Sequence, residues 1–208
     1  MQNFPPSSYG SLTTLLLPPL SVLDLGTGAG LWAISMADEF PRAEVIGIDL
    51  APLQPRFELC DVNQGSIPYP DSYFDLIHAR SMHTGISDYP RMIREIARLL
   101  RPGGLVLLVE PSLHPYVDGE RLRLSTDATS STSNAPNGGG GHPIEIGNAD
   151  NWYSFWETYR ACLTRLEIDI TVPERIAEML LSIGSFEDII QRDGNIPVGF
   201  WPTGVSYA

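Results

Sequence analysis

Short apolar runs alternate with amphipathic stretches through the first half of the chain. The runs at 21–23, 45–50 and 105–110 have the continuous hydrophobicity of buried parallel strands. Between them, 31–40 and 88–101 are predicted to be helices. The second of these carries apolar residues at the 3.6-residue period, namely Met92, Ile93, Ile96, Leu99 and Leu100. Alternating strands and helices predict an α/β fold with a parallel sheet.

The second half contains fewer strand signals and one stretch without core-forming residues. Residues 126–142 read TDATSSTSNAPNGGGGH and are predicted to be a disordered linker. Beyond them, apolar and aromatic residues at helical spacing predict helices over 149–166 and 173–183, followed by a strand over 186–191. Residues 1–20 are rich in Pro and Ser, and they are expected to be irregular.

A glycine-rich turn joins the first predicted strand to the first predicted helix. The segment Asp24 to Leu31 reads DLGTGAGL, with Gly26, Gly28 and Gly30 in alternation after the acid. Glycine permits a tight turn at positive φ and a close approach of ligand to main chain, so this unit predicts a nucleotide cradle. A dinucleotide fingerprint has glycine where this chain has Leu31, which argues against an NAD-dependent dehydrogenase.

The alternating glycines resemble motif I of class I methyltransferases, which bind S-adenosylmethionine. Other landmarks follow in the family's order: Asp49 ends the run VIGID, Asp61 lies in FELCDV, a strand YFDLIHAR comes next, and the turn RPGG precedes LVLLVE. Three segments are similar to fungal methyltransferases of secondary metabolism, including relatives of the velvet-complex regulator. They read GLWAISMADEFPRAEVIGIDLAPLQP, IHARSMHTGISDYPRMIREIARLLRPGG and IPVGFWP.

This resemblance implies a Rossmann-like class I methyltransferase sheet with helices on both faces. Residues 21–125 would form the cofactor-binding half, 126–142 the linker, and 143–208 the helical cap and last strand of the same domain. Relatives continue with a further helix and a seventh, antiparallel strand. No candidate for that strand remains before Ala208, so the sheet is expected to lack it.

The resemblance also implies S-adenosyl-L-methionine as the cofactor. Ten residues at strand ends are expected to bind it: Asp24, Gly26, Thr27, Gly28, Gly30, Asp49, Leu50, Asp61, Val62 and Arg80. The glycine loop would surround the methionine part, with Asp24 orienting the loop. Asp49 would accept the ribose hydroxyls, or is an ordinary carboxylate at a strand end. Asp61 and Val62 would contact adenine. Arg80 would hold the acceptor or the cofactor carboxylate, or pairs only with surface acids. Asp61 is alternatively a turn former in DVNQG.

Methyl transfer needs a base only when the acceptor carries a proton. His83 is the predicted catalytic residue, because it follows the fourth strand near the place expected for the transferable methyl. His78 lies inside that strand and faces either the core or the helix layer. Trp152 and Trp156 either wall an acceptor pocket or belong to the core, and their helical spacing favours the core. No His/Cys cluster indicates a metal.

Composition narrows the choice of partners. The formal charge of −12 argues against non-specific binding of nucleic acid or of an anionic membrane. A small-molecule acceptor is what the resemblance to methyltransferases of secondary metabolism implies. Two cysteines do not form a disulfide framework. The apolar stretch Leu12–Leu20 is short and interrupted by prolines, so neither a signal peptide nor a membrane span is predicted. The cytoplasm is the expected compartment, with the nucleus as the alternative.

One departure from the family pattern keeps two functions open. The connection Ala51–Arg56 is too short for the usual crossover helix between the second and third strands. The first hypothesis is an enzyme that methylates O, N or C of a small molecule. The second is a methyltransferase-like regulatory or degenerate protein that binds partners without turnover. An open sheet edge also predicts self-association or a protein partner.

Overall fold

The computed structural model describes residues 19–54, 57–117, 120–121 and 146–194. The strands within these ranges are β1 Ser21–Leu25, β2 Glu44–Asp49, β3 Glu58–Leu59, β4 Phe74–Arg80, β5 Leu100–Val109, β6 Tyr116–Val117 and β7 Glu120–Arg121. The helices are α1 Leu31–Glu39, α2 Tyr89–Leu99, α3 Ile146–Arg165 and α4 Val172–Ile183, with a single 3-10 turn at His83–Gly85.

The first five strands form one parallel sheet in the order β3-β2-β1-β4-β5. This is the first part of the doubly wound order, in which ligands bind at the carboxyl edge of the sheet. In the register, Asp24 of β1 lies between Gly47 of β2 and His78 of β4. The predicted α/β fold is therefore confirmed, and the carboxyl ends of β1, β2 and β4 meet at one edge.

Helices cover both faces of the sheet, as predicted. On one face, Leu23 and Ile77 are fully buried in a core shared with α2 and α4. The apolar stripe of α2 supplies much of that core through Met92, Ile93, Ile96 and Leu99. On the other face, Trp32 of α1 stacks on His78, with ring centroids 3.9 Å apart.

Helix α2 begins where its sequence indicates and runs directly into a strand. The Asp88 side chain accepts a hydrogen bond of 2.8 Å from the backbone N–H of Arg91, which is an N-cap interaction. The helix ends at Leu99, and Leu100 already belongs to β5. The predicted RPGG turn therefore lies inside β5, where the register with β4 shifts between Phe74 and Leu76.

The connection from β2 to β3 lacks a crossover helix in its described part, as expected from its length. Residues 50–54 form bends without regular structure, and β3 pairs with β2 through Glu58 and Leu59 alone. Leu59 is 76% exposed. This side of the sheet therefore has a short and poorly covered end strand.

The helices of the second half are confirmed close to their predicted bounds. Arg160 of α3 is buried and donates from Nη1 to the carbonyl oxygen of Leu113 at 2.6 Å, which fixes α3 to the segment after β5. Val172, Met179 and Leu180 of α4 join the core of α2. None of the described helices is long and apolar enough to cross a bilayer.

The predicted strand over 186–191 is wrong. The segment has no regular structure, and Phe186 and Ile189 instead pack their side chains against the core. The β6–β7 hairpin was not predicted from the sequence. The predicted linker 126–142 lies outside the described residues.

Strand β5 has a neighbour on one side only within the described ranges. Leu105, Leu107 and Val109 on one of its faces are 64%, 44% and 42% exposed. The end of the chain lies outside these ranges, so the predicted lack of a seventh strand and the predicted self-association stay predictions.

We expect Leu99→Ala to lower the free energy of unfolding by about 2–5 kcal/mol, because the Leu99 side chain is fully buried. The matched control is Leu181→Ala on α4, where the side chain is 67% exposed and the change should cost about 0.5 kcal/mol or less. Urea unfolding of both variants measures the difference. Equal losses in the two variants would contradict the assigned core.

Candidate functional site

A cavity of about 250 Å³ opens at the carboxyl ends of β1 and β4. Its position follows from the parallel sheet, which brings these strand ends together. The lining residues come from the glycine turn, the start of α1 and the end of β4: Asp24, Gly26, Thr27, Gly28, Ala29, Leu31, Trp32, His78, Arg80 and Ser81.

The glycine turn is fixed to the end of β2 by two hydrogen bonds. The backbone N–H of Thr27 donates to the carbonyl oxygen of Ile48 at 3.0 Å. The backbone N–H of Gly28 donates to Oδ2 of Asp49 at 2.8 Å. Gly28 has φ of 55° and Gly30 has φ of 80°, a region that favours glycine. Hydrogen bonds to the end of β2 therefore hold the glycine turn in its conformation.

The three glycines of the turn meet different surroundings. A side chain at Gly26 would overlap the sulfur of Met82, and one at Gly30 would overlap the ring of Phe57. A Cβ at Gly28 would meet no described atom within 4 Å, although Gly28 lines the cavity. Gly28 is therefore the point at which a ligand could approach the main chain.

A buried polar cluster forms one wall of the cavity. Asp24 and His78 are each only 3% exposed. Their side chains meet at 2.7 Å between Oδ1 and Nδ1, and the Thr27 hydroxyl donates to Oδ2 of Asp24 at 2.7 Å. Because a carboxylate can only accept, Nδ1 of His78 carries the hydrogen. The sequence did not predict this pairing.

Asp49 ends β2 with both carboxylate oxygens engaged. Oδ2 accepts from Gly28, and Oδ1 accepts from the backbone N–H of Ala51 at 2.8 Å. A carboxylate has about four acceptor positions, so two hydrogen bonds leave capacity for hydroxyl donors. The hydrogen bond from Gly28 places Asp49 at the edge of the turn, and its predicted contact with the ribose hydroxyls stays a prediction.

Half of the ten predicted cofactor residues do not line this cavity: Gly30, Asp49, Leu50, Asp61 and Val62. Asp61 accepts from the backbone N–H of Asn63 at 2.9 Å and from the Gln64 amide at 2.7 Å, so its carboxylate serves its own turn. Val62 packs against the core, and Leu50 is 64% exposed. Arg80 does line the cavity, together with the turn residues.

His83 is not where the sequence reasoning placed it. Its side chain is fully buried and does not line the cavity. Nδ1 lies 2.9 Å from Oε2 of Glu110, and Nε2 is enclosed without a hydrogen-bond partner. An acceptor in the cavity could not reach this imidazole, so the structure does not support His83 as a base. The sequence shows that a histidine follows β4 but does not show which way the chain then turns.

Glu110 instead organises the loop that follows β4. Its carboxylate also accepts from the backbone N–H of Met82 at 3.0 Å and from the Tyr89 hydroxyl at 2.9 Å. Burial, with Glu110 as the next cause, raises the pKa of the Tyr89 hydroxyl. These hydrogen bonds position Met82, whose sulfur lies against Gly26 of the glycine turn.

Metal and thiol chemistry have little support in the described ranges. No group of three or more His, Cys, Asp or Glu side chains there is placed to hold a metal ion. Burial, followed by the charge of Asp61, raises the pKa of the Cys60 thiol. The cavity lining offers a ligand hydrogen-bonding groups and the charged side chains of Asp24 and Arg80.

One protein family and several known proteins match parts of this chain. Residues 4–156 match the family described as Methyltransferase domain. The secondary metabolism regulator laeA of Coprinopsis cinerea is 31% identical over 186 residues, which cover 85% of this chain and 41% of that protein.

Two further relatives match shorter segments. Methyltransferase pytC of Aspergillus terreus is 41% identical over 110 residues, covering 46% of this chain and 33% of that protein. Protein-methionine methyltransferase laeA of Emericella nidulans is 36% identical over 107 residues, covering 48% and 29%. The chain spans less than half the length of each of these three relatives.

We expect Asp49→Ala to weaken the binding of S-adenosylhomocysteine by about 1–3 kcal/mol, because hydroxyl donors lose a charged acceptor. Melting temperature should also fall, because the N–H groups of Gly28 and Ala51 lose theirs. Asp38→Ala, on the exposed surface of α1, is the matched control. Calorimetric titration measures the dissociation constants, and an unchanged constant for Asp49→Ala would remove this carboxylate from the site.

Proposed function

Because this chain belongs to the methyltransferase domain family, we propose that it binds S-adenosylmethionine and transfers the methyl group to a small-molecule acceptor. The observation that carries the proposal is the glycine turn. Gly28 has open space above its Cα, lines the cavity and is bonded to Asp49 at the end of the neighbouring strand. When bound, S-adenosylmethionine supplies a methyl group on a sulfonium sulfur, which is already activated for displacement.

Each part of the cofactor has a group suited to it in or beside the cavity. Asp49 would accept the ribose hydroxyls with its remaining lone pairs. Asp24 places a buried negative charge beside the space for the methionine part, and Arg80 offers a positive charge to a carboxylate. The adenine contact of Asp61 and Val62 is not part of this proposal, since Asp61 serves its own turn.

The contribution of these residues is binding and alignment. Holding two reactants in line lowers the barrier without any proton transfer, and an activated sulfonium needs little else. We assign no general base, because His83 is enclosed and bonded to Glu110. Such a site suits an acceptor that is already deprotonated, or one whose base lies elsewhere in the protein.

The acceptor has two candidates. A small molecule is supported by the similarity of the sequence to fungal methyltransferases of secondary metabolism. A second candidate is a protein acceptor or a regulatory role, favoured by relatives named as a regulator and as a protein-methionine methyltransferase.

We expect Gly28→Val to abolish the binding of S-adenosylmethionine and S-adenosylhomocysteine, because its side chain would occupy the cavity. Gly65→Val is the matched control, since Gly65 also has positive φ, also has open space at its Cβ position and does not line the cavity. Both variants place valine at a positive φ, so only Gly28→Val should lose binding in a calorimetric titration. Binding by Gly28→Val as tight as by the parent would refute the proposed site.

We expect transfer of label from methyl-tritiated S-adenosylmethionine to compounds in an organic extract of a fungal culture. The same incubation with a fungal protein extract tests the second candidate, and the Gly28→Val variant gives the background for both. Label in acid-precipitated protein alone would favour a protein acceptor. Tight cofactor binding without label in either fraction would favour the regulatory role.

A further inference from the structure

The ring of Phe57 lies between the end of the glycine turn and strand β2. A side chain built on Gly30 would overlap the Cε2 edge of this ring. A Cβ built on Gly47 would lie 2.6 Å from Cδ1, on the opposite edge of the ring. Phe57 is half-buried and is not among the residues that line the cavity. The ring therefore contacts the turn from outside the space proposed for the ligand.

The glycine at position 47 is explained by this contact. Gly47 lies inside β2 and its φ is not positive, so the backbone conformation does not require glycine there. A glycine inside a strand weakens it and often marks a place where another group approaches the main chain closely. Here that group is the Phe57 ring, together with Oγ1 of Thr27, which would lie 2.9 Å from the added Cβ. Gly47 therefore makes room for the ring against β2.

The ring contacts the same two elements that the hydrogen bonds of the turn join. Gly30 is the N-cap of α1 and stands at the end of the glycine turn. Gly47 lies directly before the two residues of β2 that accept hydrogen bonds from the turn. The Phe57 ring and these hydrogen bonds therefore act on one unit, which consists of the glycine turn and the end of β2.

Phe57 follows the short connection between β2 and β3. Parallel strands are usually joined by a crossover helix that packs on the sheet. The described part of this connection contains no helix, since residues 50–54 form bends. The ring that comes directly after the connection packs against β2 and the start of α1 instead. Phe57 thus supplies apolar packing that the described part of the connection does not.

We propose that Phe57 is a positioning residue that holds the glycine turn at the distance from β2 at which Gly28 and Asp49 act on the same ligand. The inference rests on the proposed function. It adds the reason why a chain with so short a connection keeps its cofactor site. Phe57 acts through the glycine turn and does not touch the ligand.

The test is calorimetric titration of the full chain and its variants with S-adenosylhomocysteine. We expect Phe57→Ala to bind this ligand about tenfold more weakly, because a turn without the ring must be ordered when the ligand binds. Phe57→Leu keeps part of the apolar side chain, so its dissociation constant should lie between those of the parent and of Phe57→Ala. A dissociation constant of folded Phe57→Ala equal to that of the parent would overturn the inference.

A stability control separates positioning from general destabilisation. Leu99→Ala removes a fully buried side chain on α2, and Leu99 does not line the cavity. Its loss of unfolding free energy in urea should equal or exceed that of Phe57→Ala, while its dissociation constant stays at the parent value. Equal weakening of binding in the two variants would overturn the inference, because binding would then follow stability.

A second-site change tests the contact itself. The methyl group of Gly47→Ala would meet the Phe57 ring, so this variant should bind the ligand more weakly than the parent. In the Phe57→Ala background the ring is absent, so the same change should weaken binding by a smaller factor. The contact of the methyl group with Oγ1 of Thr27 is common to both backgrounds. Equal factors in the two backgrounds would show that the sites are independent and would overturn the inference.

The outcomes separate this inference from the proposed function. A parent chain that binds neither S-adenosylhomocysteine nor S-adenosylmethionine would overturn both. A parent chain that binds with the same dissociation constant as its folded Phe57→Ala variant would overturn the inference alone. Melting followed by circular dichroism shows which variants fold. If Phe57→Ala does not fold, Phe57→Leu and Gly47→Ala decide: parent-like binding by either would overturn the inference, and weaker binding by both would support it.

Discussion

Burial of the Asp24 carboxylate is the constraint on which the site depends. A buried charge is tolerated only when its oxygens are hydrogen-bonded, and two partners from different elements meet this need. His78 joins β1 to β4, and Thr27 joins β1 to the glycine turn. Strand register, turn conformation and cavity wall are therefore fixed by one side chain, and a change at Asp24 would affect all of them together.

Glu110 is a second buried carboxylate whose oxygens are hydrogen-bonded. It follows β5, and its oxygens contact the imidazole of His83, the hydroxyl of Tyr89 and the backbone N–H of Met82. Its bonds hold the loop after β4 in place, as Asp24 holds the turn after β1. Asp24 faces the cavity and Glu110 lies beneath the loop, so the first is suited to a ligand and the second to support.

The sequence predicted the fold better than the site because the two depend on contacts of different range. Strands, helices and the glycine turn follow from local patterns, as the N-cap at Asp88 illustrates. The pairing of Asp24 with His78 spans 54 residues and requires the register of two strands. One signal was available: His78 is the polar exception in the run LIHA, and a buried polar residue needs a partner. The enclosure of His83 had no comparable local signal.

The stack of Trp32 on His78 has a consequence for observing the protein. An indole ring lies nearly parallel to the imidazole, with 12° between the ring planes, and both residues line the cavity. Indole emission responds to the charge and the polarity of a ring in contact with it. Trp32 is therefore a built-in fluorophore at the cavity wall. Its emission reports the state of the cavity without any attached dye, and replacing Trp32 by phenylalanine would isolate its signal from those of the other tryptophans.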